Sequence, residues 1–297
     1  MRGSRKGLIL MLVCAFLAAT IAVAFATPQD DLMKAIRDGD TAKVRQMLDS
    51  GFNPNDEVQD YDWGPVIFAV QYDRLEILKL LVAKKARLDL RAQGMPPLGL
   101  AAQMGRTAIF EYLMTLNLDA YDKGCALATF ARDGNTDQVS RMLRAGAPPN
   151  ATIMEGSALA VAARSGYSGI AIKLLAAGAD ANLKYETGIS GPRVALLDAL
   201  PYPDTVKVLI RGGADVDYRK ESLTRPAEEK ENTLLMIAAR KAYFDTVRLL
   251  VEAGADVKAK TPAGDTATMS ALKNGQTAVA EYLAAAELLP GPPPVKQ

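Results

Sequence analysis

The chain contains no histidine. That absence removes the Ser-His-Asp and Cys-His catalytic arrangements and every metal site built on imidazole. Cysteine is scarce, with only Cys14 and Cys125 in 297 residues, so zinc-type spacings and a disulfide framework are both missing. No glycine-rich loop of the phosphate-cradling type occurs. Neither sign of charge dominates: 35 basic residues face 34 acidic ones, which gives no chain-wide attraction for nucleic acid or anionic lipid. Aromatic residues make up 6% of the chain, and tryptophan occurs once, at Trp63. What remains is 49% hydrophobic and 23% charged, enough to build a packed core and unlike the composition of disorder.

The one long uncharged apolar run spans Leu8 to Val23. Arg2, Arg5 and Lys6 precede it, and Ala24-Phe25-Ala26 places small residues three and one before a cut. This layout predicts a cleaved signal peptide over 1–26, with export to a periplasm of Gram-negative type. The alternative is an uncleaved inner-membrane anchor, because the run is near the lower limit for spanning a bilayer. No acidic residue precedes Asp30, so loss of the segment changes the formal charge from +1 to −2. Cleavage also leaves Cys125 as the sole cysteine, so stability must come from packing.

Beyond that segment the chain repeats itself. Gly178-Ala179-Asp180, Gly213-Ala214-Asp215 and Gly254-Ala255-Asp256 each follow an apolar helical stretch, and Gly146-Ala147 keeps the first two letters. The openings of the units fall at Asp30, Gly64, Pro96, Cys125, Ser157, Pro192, Thr233 and Thr266, at intervals of 29 to 41 residues. Such a period fits an ankyrin or a tetratricopeptide array. Residue types separate the two, because the Trp, Leu-Gly and Tyr positions of a tetratricopeptide helix are absent. The stretches Pro96-Pro97-Leu98-Gly99-Leu100-Ala101-Ala102, Ser157-Ala158-Leu159-Ala160-Val161-Ala162-Ala163 and Thr233-Leu234-Leu235-Met236-Ile237-Ala238-Ala239 are eroded forms of Thr-Pro-Leu-His-x-Ala-Ala. With the close at Gly178-Ala179-Asp180-Ala181-Asn182, the chain resembles the ankyrin repeat family from Asp30 to about Leu289.

That resemblance implies an all-α fold: a solenoid of about eight helix-turn-helix units with extended loop fingers, over 27–289. A Pro-rich disordered tail is expected over 290–297. Paired alanines let helices approach closely. Ser, Thr or Asp at an opening can cap the first helix. Gly39, Gly105, Gly134, Gly166 and Gly275 should end the first helices, and the Gly-Ala-Asp glycines the second. Asn117 is expected to take the left-handed turn in the third unit, while Lys85 departs from the pattern in the second. In the sixth unit Pro201-Tyr202-Pro203 should break the first helix. Gly99, Ala128, Ala160, Ala195, Met236 and Met269 stand where the family carries histidine.

For function, the resemblance implies protein binding through a concave face of first-helix ends and loop tips. The tips are Trp63, Met95, Gly124, Gly156, Gly191, Asn232 and Asp265. Trp63 with Tyr61, Met95, Tyr72 and Met104 forms the expected partner-binding patch, because aromatic anchors bury much area with few rotors. Whether Trp63 instead packs into its own unit is open. Arg132, Arg164 and Arg240 are expected to stay solvated. An insertion from Tyr218 to Asn232 falls on a loop, the place where repeat arrays accept extra residues. Cys125, read as a helix-start residue, is expected to be a buried, unreactive thiol. Asp180, Asp215 and Asp256 recur as turn residues and do not converge, so no catalytic site, cofactor or metal is expected. The expected partner is another protein, bound by a monomer, with no nucleic acid and no membrane after cleavage. Two roles are open: a scaffold or chaperone for an exported protein, or an immunity-type inhibitor of a toxin or enzyme.

Overall fold

A computed structural model describes residues 28–55, 64–92, 94–186, 191–220 and 232–289. The expected signal segment, Tyr61, Trp63, most of the insertion and the Pro-rich tail lie outside the described residues. Two compact units divide the chain at Leu90 and Arg91.

The first unit holds α1 (Pro28–Asp38), α2 (Thr41–Asp49), α3 (Pro65–Gln71) and α4 (Leu75–Ala83). The helix α1 packs on α2 and α3, and α4 packs on α2 and α3. Leu32, Ile36, Val44, Ile67, Leu78 and Leu81 are buried between them. Leu32 and Ile36 in α1, and Leu78 and Leu81 in α4, are spaced by four and three and so share one stripe of their helix, whereas in α3 every residue from Pro65 to Val70 is buried. Asp30 lies inside α1 rather than capping it, because the helix starts at Pro28. Asp40 caps α2, its side chain accepting from the Lys43 amide at 2.9 Å. The departure at Lys85 does not break the turn: the lysine itself takes φ 63°, a conformation that strains a residue with a Cβ. Arg74 fastens the two helix pairs, its guanidinium donating to the Arg37 carbonyl at 2.7 and 3.2 Å.

The second unit runs through α5 (Pro97–Gln103), α6 (Thr107–Met114), α7 (Ala120–Arg132), α8 (Thr136–Arg144), α9 (Ala158–Arg164) and α10 (Ser168–Ala176). It continues with α11 (Ala195–Ala199), α12 (Pro203–Arg211), α13 (Leu234–Arg240), α14 (Phe244–Glu252), α15 (Ala267–Lys273) and α16 (Thr277–Leu288). Odd-numbered helices pack on one another in series from α5 to α11 and again from α13 to α15, while even-numbered helices pack in a second row from α8 to α16. Three antiparallel two-residue hairpins project between pairs: β1 (Thr152–Ile153) with β2 (Gly156–Ser157), β3 (Tyr185–Glu186) with β4 (Pro192–Arg193), and β5 (Arg219–Lys220) with β6 (Asn232–Thr233). The last hairpin brackets the insertion. Ser157, Thr233 and Thr266 cap their helices, each side chain accepting from the amide three residues on.

The Gly-Ala-Asp-x-Asn close has a cause beyond the turn itself. Gly178 ends α10 with φ 89°, and Asp180 then accepts from the Asn182 amide at 2.8 Å. Asn182 in turn reaches the next turn, accepting from the Asp215 amide at 2.8 Å and donating to the Gly213 carbonyl at 2.9 Å. Asn150 makes the same two bonds to Asp180 and Gly178, and Asp217 accepts from the Asp256 amide. Each repeat thus satisfies the backbone of its neighbour, which would otherwise leave donors and acceptors unpaired. In the first unit Asn55 repeats the pattern on Lys85 and Arg87.

Expectations about one closing turn and two openings are corrected. Asn117 has no left-handed backbone, because α6 already ends at Met114 and the chain passes directly into α7. That helix begins at Ala120, capped by Asp119 on the Asp122 amide at 2.7 Å. Cys125 and Gly124 therefore lie within a 13-residue helix, not at a helix start and a loop tip. In the sixth unit the helix is capped by Val194 rather than Pro192, since Pro192 and Arg193 are taken up in β4.

Candidate functional site

The first-helix ends carry most of the residues singled out from sequence. Tyr72 ends α3 and is half-buried, its ring centroid 5.8 Å from that of Phe68. Met104 ends α5 and is 37% exposed. Met95 pairs with Ala92 in an isolated bridge and leans over Gly99, where a Cβ would stand 2.6 Å from its sulfur. Tyr72 belongs to the first unit, Met95 and Met104 to the second. Arg132 pairs with Asp133 and Glu155 at 3.2 and 3.4 Å, with 30% of its side chain exposed. Cys125 is buried, and burial pushes its thiol up to about 11. The thiolate, the reactive form, is therefore suppressed at neutral pH.

Arg164 departs from the solvated reading. Its Nη2 donates to the Glu155 carbonyl at 2.8 Å, to the Tyr185 hydroxyl at 3.1 Å and to Asp198 Oδ2 at 3.3 Å. Asp198 sits on α11 with a fully buried side chain. Arg193, on β4, donates to its other oxygen through Nε at 3.0 Å and also through Nη2. The Tyr185 hydroxyl, on β3, donates to Oδ2. Burial raises the tyrosine pKa and the Asp198 charge adds to the shift, so Tyr185 remains a protonated donor. Burial, the largest single cause, would lower the pKa of both guanidinium groups, but Asp198 and Tyr185 together more than offset it and both move upward. A buried carboxylate is tolerated because every lone-pair direction finds a donor.

The backbone that places this cluster is irregular for a local reason. The helix α11 has five residues, whereas α9 and α13 have seven. Proline at 201 and 203 cannot continue the amide ladder, and the Tyr202 amide closes the turn on the Ala199 carbonyl at 2.7 Å. The buried Thr246 hydroxyl on α14 donates to the Leu200 carbonyl at 2.8 Å and fixes the broken end. Because α11 is short and packs chiefly on α9 and α12, a cleft of about 340 Å³ opens between it and α13. Arg164, Arg193 and Asp198 line one side, Lys220 and Asn232 the hairpin side, and Arg240 and Lys241 the far side. Leu197, Ile237, Tyr202 and Tyr243 form apolar walls between them.

Sequence reasoning singled out Arg164 and Arg240 but missed Asp198, Arg193 and Tyr185. The available signal was an acidic residue inside the apolar run Val194 to Leu200, next to a helix-breaking proline. The structure gathers Arg164 and Arg240 on one cleft and leaves Arg132 at another place, paired with Glu155.

Antiparallel helix pairs, left-handed turns and hairpin fingers in series define a helical repeat protein of the ankyrin type. The sequence model described as Ankyrin repeats (3 copies) matches residues 32–123 and 196–289, more than half of the chain. The chain therefore belongs to the ankyrin repeat family, whose repeats are generally protein–protein interaction modules. No curated protein matches the chain. The stretch between the two matched segments begins within the overlong α7 and contains the more regular α9 and α10. No helix among the described residues is long and apolar enough to cross a membrane.

Proposed function

We propose that this protein is an exported array of about eight ankyrin repeats that binds another protein through the concave face of its solenoid. In this reading it serves as a scaffold or chaperone for an exported partner and performs no catalysis itself. What carries the reading is membership of the ankyrin family together with the Ala24-x-Ala26 cleavage pattern after an uncharged run. Trp63, Tyr61, Tyr72, Met95 and Met104 are the proposed anchors. The exposure of Met104 at a first-helix end supports this placement, since large apolar side chains at such positions serve no core.

Two experiments test it. N-terminal sequencing of the exported protein should read from Thr27; a form that keeps Leu8 to Val23 in the membrane pellet defeats the cleavage. Affinity capture from the periplasmic fraction should yield one partner, and Trp63→Ala should weaken that complex by roughly thirtyfold, the scale of a truncated hot-spot aromatic. A variant that melts early while binding normally assigns Trp63 to packing instead.

A further inference from the structure

We propose that the cleft between α11 and α13 is an anion site that takes the carboxylate side chains of an extended acidic segment of the protein partner. Only the choice of a protein as occupant rests on the protein-binding reading; the charge of the cleft stands without it.

The argument starts from a local imbalance. Over the whole chain basic and acidic residues are almost equal in number. Among the described residues the cleft gathers Arg164, Arg193, Arg240 and Lys241 against the one carboxylate of Asp198. Asp198 is already shared by two guanidinium groups and a tyrosine hydroxyl, so it does not neutralise Arg240 and Lys241 as well. Like charges concentrated in one concavity repel, and the resulting field attracts anions into it. The cluster is thus an electrostatic cost in the free protein that a bound anion removes.

The geometry leaves donors to receive that anion. Arg164 uses Nη2 for all three of its acceptors, which leaves Nε and Nη1 without an acceptor among the described residues. Its side chain is 40% exposed, and that of Arg193 is 23% exposed. Asp198 therefore acts as a positioning residue: it fixes the two guanidinium groups while part of each faces the cleft. Arg240 and Lys241, at the end of α13, have no carboxylate partner among the described residues. Guanidinium forks suit planar carboxylates, and hydrogen bonds to charged groups are the strong ones.

The form of the cleft favours a peptide. Its volume of about 340 Å³ is at the small end of pockets that hold a discrete ligand. Its cations stand on both a hairpin and two helix ends, with Leu197, Ile237 and the half-exposed Tyr202 between them. Alternating cationic and apolar patches match a chain whose successive side chains point to opposite sides.

The test uses the full mature protein and a fluorescein-labelled hexaglutamate, read by anisotropy, with hexaglutamine as the uncharged control. Hexaglutamate should bind and weaken steeply with salt, while hexaglutamine should not bind. Arg240→Ala and Lys241→Ala should each weaken hexaglutamate about tenfold with unchanged unfolding midpoints, since neither residue is paired in the fold. Arg132→Ala removes the same charge outside the cleft and should leave affinity within a factor of two. An absence of hexaglutamate binding, or equal losses in Arg132→Ala and Arg240→Ala, overturns the site. Displacement of hexaglutamate by equimolar inorganic phosphate overturns the peptide assignment in favour of a small oxyanion. None of these outcomes bears on capture of the partner through Trp63, so the two readings fail separately.

Discussion

The helix α7 is 13 residues long and α11 only five, although both occupy the same place in their helix pairs and both pack on α9. The extra turns of α7 close a surface. Tyr121 lies on them, its hydroxyl donating to the Gly94 carbonyl at 3.0 Å and its ring lying 4.0 Å beneath Arg91. Gly124 and Cys125 are buried there, and no hairpin finger is formed between α6 and α7. The missing turn of α11 opens a surface, and the polar groups it uncovers are held by one buried carboxylate. A repeat array thus changes its surface by lengthening or shortening one helix, while the helices on either side keep their packing. The lengthened site is held by shape, the shortened one by charge, and variants at each should fail in different ways.

The largest expected effect falls on the open region. Asp198→Ala leaves the buried Tyr185 hydroxyl and the half-buried Arg193 without their acceptor, and breaking a buried pair costs about 3–5 kcal/mol. Arg164 is more exposed and uses other acceptors, so Arg164→Ala should cost only about 1 kcal/mol. Urea unfolding midpoints compare the two directly. If Asp198→Ala unfolds at the parental midpoint, the cluster does not hold this end of the array.

The closed region should respond to volume instead. A Cβ on Gly124 would stand 2.2 Å from the Cβ of Ala151, so Gly124→Ala should cost about 1–3 kcal/mol through overpacking. Gly178 provides the contrast. It has φ 89° and nothing within 4 Å of an added Cβ, so Gly178→Val should cost about 1–2 kcal/mol through backbone strain alone. A second change at Ala151, Ala151→Gly, should rescue Gly124→Ala but leave Gly178→Val unchanged. Equal rescue of both would mean that α7 is not held by that contact.

These contrasts also show what could be read in the sequence. The all-helical repeat class, the glycine-ended turns and the Ser157 and Thr233 caps follow from residue type, because each depends on local backbone chemistry. The broken α11 was legible for the same reason, from Pro201 and Pro203. Where the first helix of the α7–α8 pair begins was not legible: Asp119 as a cap competes with the family-like opening at Cys125, and only packing against Ala151 and Gly94 favours the longer helix. The cleft was illegible in a different way. Asp198, Arg193 and Tyr185 lie 5 to 13 residues apart in sequence, but Arg164 and Arg240 reach the same place from neighbouring repeats. No pattern within one repeat encodes that meeting.

The thiol at Cys125 separates a structural cysteine from a reactive one. Its pKa is raised to about 11 by burial, so between the unfolded value, about 8.5, and about 11 the unfolded chain loses a proton that the folded chain keeps. The stabilisation is complete below the unfolded value and is lost as pH rises toward 11. Stability should therefore be flat near neutrality and decline in alkali, and Cys125→Ala should flatten that alkaline limb. At pH 7.5 a thiol reagent should label the native protein only at the rate of unfolding. Rapid labelling in buffer without denaturant would place the sulfur within reach of solvent.

The smallest effect is expected at a charge pair on the outside of the array, which makes it the reference for the buried cluster. Arg141 on α8 donates to Glu111 on α6 through both terminal nitrogens at 2.5 and 2.6 Å. The geometry is bidentate, as it is in strong pairs. Both side chains are nevertheless more than a third exposed, and water and salt screen what they gain. The Arg141 hydrogen bond is the main cause that holds the Glu111 carboxyl below its ordinary range. A lowered folded value means that the contribution is present above the unfolded value of about 4.3 and fades as pH falls through the folded one. Glu111→Gln should thus cost less than about 1 kcal/mol at pH 7, and the difference from the parent should vanish in acid and shrink in 1 M salt. Asp198→Ala should keep most of its cost in the same salt, because the Asp198 carboxylate itself is fully buried. A salt response of equal size at both positions would show that the Asp198 side chain is open to solvent, and the contrast between a region held by shape and one held by buried charge would then be lost.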